Sequence, residues 1–163
     1  MEHRVYVGTY AKYNSSSIAG KWLDLADYSD NEEFYKACKE LHSDEIDPEF
    51  MLQDWEGIPT QFVSESGLDA AYWDWVEIVE ASHHDEEVFK AADDIDIDTD
   101  MVEELYWGKH NSDIAFAQDM AEQTGSIDET LTWPNNCIDW ERAARDLMYD
   151  YGESDGHYFR TSH

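Results

Sequence analysis

No long stretch of this chain can fold without leaving an acidic face in water. Of its 163 side chains, 39 are Asp or Glu and 10 are Lys or Arg, a formal net charge of -29. The carboxylates must stay hydrated, because a buried and unpaired charge is strongly unfavourable. The fold must therefore be built from what lies between them. That apolar material exists: 7 Trp, 10 Tyr and 6 Phe separate this chain from disordered acidic sequences, which have too little to bury. The acids are interleaved with the aromatics, and no acidic run exceeds the three of Asp85, Glu86 and Glu87. Residues 1–62, 63–112 and 113–163 net -8, -13 and -8, so every segment is expected to present an acidic face rather than one segment trailing as a tail.

The sign of the charge excludes partners before it selects any. Such a surface repels nucleic acid and anionic membranes and attracts basic proteins and cations. At one charge per about 1.7 Å of duplex axis, the net charge corresponds to roughly 50 Å of DNA. A compact globule of this length would be only about 40 Å across. Matching the line charge of DNA thus favours an elongated chain of small domains. Two cysteines, Cys38 and Cys137, lack a C-x-x-C spacing. With no signal-peptide pattern and no apolar run near 18 residues, they fit a soluble protein of a reducing cytoplasm.

Periodicity gives the segments an α+β character. Val5 and Val7 alternate with Tyr6 in a half-buried strand, a second strand is expected around Trp22 to Leu25, and a third from Phe50 to Trp55. Between them Ser29 and Glu32 form a capping box ahead of Phe34, Ala37, Cys38 and Leu41, spaced as one helix face. The apolar content of residues 1–62 is low, so this domain should lean on its neighbour. From residue 63 the pattern turns helical. Leu68, Ala71, Tyr72, Trp75, Ile78 and Val79 follow a cap at Ser64 or Ser66, and shorter helices are expected over 84–92 and 99–107. The last segment should hold helices over 112–124 and 138–147, an irregular stretch over 126–137, and a terminal hairpin pairing 149–151 with 158–160. Most tryptophans are expected in small cores.

Candidate chemistry is sparse. A calcium loop started at Asp94 puts Thr99 where glycine is needed and Leu105 where a bidentate Glu is needed; started at Asp96, it ends on Trp107. His83, His84 and His42 lack the i, i+4 spacing of a zinc helix and read as surface histidines. Carboxylate pairs are too abundant to single out an acid and a base, and no phosphate loop or nucleophile motif appears. No catalytic residue, metal or cofactor is therefore expected.

Several long strings in order, VYVGTYAKYNSSSIAGKWLDL, DPEFMLQDWEGIP, SESGL, AFAQDMAEQTG, IDWERAARDL and DGHYFR, make the chain similar to the ArdA antirestriction proteins of plasmids and conjugative transposons. The resemblance implies a three-domain acidic rod that dimerises through its C-terminal domain and occupies the DNA groove of the type I restriction-modification methyltransferase core, made of modification and specificity subunits. Residues 126–137, SIDETLTWPNNC, depart from the family pattern, which bears on target preference and dimer strength.

On this reading the partner-binding surface comprises Asp27, Glu32, Glu33, Asp44, Glu45, Asp54, Glu56, Asp69, Asp74, Glu77, Asp85, Glu86, Asp94, Asp96, Asp98, Asp100 and Glu103, forming a continuous acidic stripe. Trp133, Trp140, Tyr149 and Tyr158 are candidates for a homodimer interface. Direct binding to nucleic acid or membrane is not expected. Two alternatives stay open: mimicry aimed at another basic DNA-binding or defence protein, and a cation-binding acidic protein.

Overall fold

The computed structural model describes residues 2–128 and 130–162. Its mixed α+β fold has two compact units, Met1–Ala81 and Ser82–His163, where the sequence pattern suggests three segments. Each unit is strongly acidic in its own right, with eighteen acids against five bases in the first and twenty-one against five in the second.

Unit 1 is built on β1 (Arg4–Thr9), which is central in an antiparallel sheet between β2 (Lys21–Asp24) and β3 (Phe50–Glu56). Alternation puts Val5 and Val7, both fully buried, on the core face. Arg4 faces the other way, and its guanidinium donates to Glu56 Oε2 at 2.6 Å while lying 4.7 Å from the Trp22 ring centre. Tyr6 pairs with Asp54 and Val7 with Leu52, so Gln53 is an extra residue in β3. This bulge returns Leu52 to the core side. The one-turn helix α1 (Tyr10–Asn14) follows β1 directly and is capped by Thr9.

Helix α2 (Asn31–Leu41) lays Phe34 and Cys38 on this sheet. Its cap sits one residue later than the sequence suggests. Asp30 accepts from the Glu33 N–H, and Glu33 in turn accepts from Ser29 N and Oγ at 2.9 and 2.8 Å. Asp and Ser cap about equally well, but the Asp30 carboxylate also places a negative charge at the positive end of the helix dipole.

Ser64 and Ser66 also do something other than expected. They belong to a short hairpin of β4 (Val63–Ser64) and β5 (Gly67–Leu68), and helix α3 (Ala71–Ala81) starts behind Asp69, whose Oδ1 accepts from Ala71 N. Val63, Leu68 and Tyr72 enter the same core as Val5, Phe34 and Leu52. Residues 63–81 thus supply the apolar surface that the first 62 residues lack.

Unit 2 contains α4 (Glu86–Asp94), α5 (Val102–Leu105), α6 (Asp113–Gln123) and α7 (Trp140–Leu147) around a three-stranded sheet in the order β6 (Tyr106–Lys109), β8 (His157–Arg160), β7 (Tyr151–Ser154). Central β8 buries His157, Tyr158 and Phe159. Tyr158 stacks on Phe116 of α6 at 4.4 Å and donates to Asp113 at 2.7 Å. Strand β6 replaces the expected helix end at 106–107. Gly108 has φ +102, outside the helical region, and marks a register shift against β8. The terminal hairpin turns on Asp155 and Gly156, both at positive φ, as a two-residue turn requires. Its strands therefore lie inside the 149–160 span, with different ends from those expected.

The tryptophans divide. Trp75 is buried at 2 % exposure, Trp133 is 74 % exposed, and Trp22, Trp55, Trp73, Trp107 and Trp140 are half-buried.

Candidate interaction surface

The acidic residues singled out from sequence lie at the surface for identifiable local reasons. In unit 1, Asp27 sits in the turn after β2, Glu32 and Glu33 occupy the first turn of α2 where its dipole favours negative charge, and Asp54 and Glu56 point off the outer face of β3. Asp69 precedes α3, and Asp74 and Glu77 lie on its exposed side. In unit 2, Asp85 and Glu86 head α4, Asp94, Asp96, Asp98 and Asp100 run from its end through a short 3-10 turn, and Glu103 is on α5. All but Glu45 and Glu86 are exposed.

These carboxylates form two chemical groups. One group is engaged inside the protein. Glu56 is held by Arg4, Asp44 by Lys12 at 2.9 Å, Glu86 by Lys90 at 3.0 Å, Asp94 by the Ser154 hydroxyl at 2.8 Å, and Glu103 by Ser82 and His84. Donated hydrogen bonds keep several of them ionised below the usual carboxylate range: from Lys12 to Asp44, from Arg4 to Glu56, from Ser29 to Glu33 and from Ser82 to Glu103. In the other group, Asp27, Glu32, Asp74, Glu77, Asp85, Asp96, Asp98 and Asp100 have neither an ion-pair nor a side-chain hydrogen-bond partner among the described residues. Their charge is therefore available to a basic surface.

Among the described residues, the one group that gathers three potential metal ligands is His42, Asp44 and Glu45. It already holds a cation, because the Lys12 ammonium lies 2.8 Å from His42 Nδ1, 2.9 Å from Asp44 and 3.6 Å from Glu45. His42 is not the surface histidine the sequence suggests: it is 1 % exposed. Its Nε2–H donates to the Val7 carbonyl at 3.0 Å, leaving Nδ1 to accept from Lys12. Lys12 lies thirty residues away on α1, which sequence spacing could not connect to this group. The DDIDIDTD carboxylates do not converge in this way.

The four aromatic candidates have different surroundings. Trp133 and Tyr149 are 74 % and 81 % exposed, and Leu131, not anticipated from sequence, is 54 % exposed. Trp140 is half-buried and shares a surface depression with Leu131. Tyr158 is interior, at 2 % exposure; both its ring and its hydroxyl are used within unit 2.

Among the described residues, no helix is long and apolar enough to cross a membrane. A family model described as "Antirestriction protein (ArdA)" matches residues 5–160. No curated protein matches the chain.

Proposed function

The chain belongs to the ArdA antirestriction family, and we propose that it acts as a double-stranded DNA mimic occupying the DNA-binding channel of type I restriction-modification enzymes. Antirestriction is the function that membership implies. The observation that carries the finer reading is the set of exposed carboxylates with no internal cation in both units, on a chain of net charge -29. Lysines and arginines that normally meet phosphates would meet these carboxylates instead. The inhibitor needs no catalytic residue, since it competes for a channel rather than altering bonds.

In this reading the target is the methyltransferase core of modification and specificity subunits, in the bacterial cytoplasm where incoming DNA is attacked. A homodimer formed through residues 113–163, with Trp133, Trp140 and Tyr149 available at its surface, doubles the charge presented. Two protomers present charge equivalent to roughly 100 Å of duplex.

Because cleavage and methylation share the DNA channel, both should be inhibited in purified assays, and excess specific DNA should restore both. Inhibition of cleavage with methylation untouched at every inhibitor concentration would contradict the proposal.

A further inference from the structure

A surface groove of about 820 Å³ runs along unit 1 between the segment after β2 and helix α3. Half-buried Tyr28 and Trp73 contribute aromatic walls over the buried Tyr72, and Asp30, Asp74, Glu77 and Glu80 contribute carboxylates; no lysine or arginine is among its described lining residues. The walls are preset. Trp73 Nε1 donates to Asn31 at 3.1 Å, its ring stands edge-on to Tyr72 at 5.0 Å, and Tyr28 stands edge-on to Phe34 at 5.8 Å. Trp73, Glu77 and Glu80 fall at i, i+4 and i+7 and share one face of α3. Asp30 caps α2 through the Glu33 N–H, whereas Asp74, Glu77 and Glu80 have no cation or hydrogen-bond donor of their own among the described residues.

We infer that this groove receives an arginine-bearing segment of a basic protein partner. The inference rests on the mimic reading and narrows it, from diffuse charge to one point of recognition. An apolar occupant would cover the carboxylates without compensating them, and a second copy of this acidic chain would bring like charge. A cation satisfies the rim. Arginine fits better than lysine because its planar, weakly hydrated guanidinium stacks on aromatic rings and also bonds carboxylates in pairs, whereas an ammonium is a compact, strongly hydrated point charge. Fixed aromatic walls beside unpaired carboxylates are the setting in which a few residues dominate an interface. The remaining exposed acids then act mainly in steering.

The test compares Glu77→Gln/Glu80→Gln with Glu40→Gln/Glu49→Gln, a pair of exposed unit 1 acids outside the groove. The intact protein is titrated at moderate salt with hexa-arginine and hexa-lysine peptides and, separately, with a purified type I methyltransferase core. All four positions are exposed, and near-ultraviolet circular dichroism verifies the fold. The groove pair should weaken hexa-arginine and methyltransferase binding about thirtyfold, and the control pair about threefold. Hexa-arginine should bind the unaltered protein more tightly than hexa-lysine, with that preference lost in the groove pair. Equal weakening by both pairs, or equal affinity for the two peptides, overturns the inference whatever the methyltransferase does. If the unaltered protein fails to bind the methyltransferase, the mimic reading falls, and the peptide titration alone still decides the groove.

Discussion

Lys12 reaches from α1 into a group formed by His42, Asp44 and Glu45, where it serves as the counter-ion for two carboxylates and as a donor to a buried ring nitrogen. The distances make it a structural cation in a chain that has few. Lys12→Met removes the ammonium and leaves His42 Nδ1 without its donor in an interior site, so the melting temperature should fall by about 3–6 °C. Asp27→Asn, at an exposed carboxylate with no partner, should shift it by no more than about 2 °C. Thermal unfolding followed by circular dichroism distinguishes the two. This site also marks a boundary of what residue types reveal. The acids could be placed on the surface from composition, because a hydrated carboxylate has nowhere else to go. Which of them are neutralised internally depends on where Arg4, Lys12 and Lys90 end up, and only the fold brings Lys12 to residues thirty positions away.

At the scale of elements, the strands over β1 to β3 and helices α2, α3, α4, α6 and α7 were legible, because each carries a period of apolar residues long enough to declare itself. Two-residue strands such as β4 and β5 have no period to detect, and β6 was hidden behind a helical run. Gly108 was the available signal there. An added Cβ at Gly108 would meet only His110 Nε2 at 3.5 Å, ordinary contact, so space is not limiting; φ +102 is. Gly108→Ala should therefore cost about 1–3 kcal/mol through backbone strain, measured by urea unfolding.

Strand β8 supplies a second test. Burial, with a smaller contribution from Lys109, lowers the His157 pKa below its ordinary value, against the opposing charges of Asp155, Glu87 and Asp85. The folded state thus resists a proton that the unfolded chain accepts. The stability this contributes is complete above the unfolded value near 6.5 and is lost as pH falls from there through the lower folded value. Unfolding free energies measured between about pH 7.5 and 5 should fall more steeply for the native protein than for His157→Gln. Equal slopes would show that His157 does not report on folding.

For the whole molecule, charge is the governing quantity. Each unit carries a large acidic excess, and many of its carboxylates face water without a protein partner. Association with a basic channel should therefore be fast at low salt and weaken steadily as ionic strength rises. Stopped-flow measurements across a salt series should place most of that change in the association rate. The proposed homodimer should sediment as such at micromolar concentration and moderate salt, and a monomer under those conditions would remove dimerisation from the account. Mimicry itself is tested most directly by competition on a purified type I methyltransferase core carrying labelled specific DNA. Adding the protein should displace the DNA completely, with an apparent affinity that falls in proportion to the DNA present and with no ternary complex. A stable complex holding enzyme, DNA and this protein together, each binding without weakening the other, would contradict it.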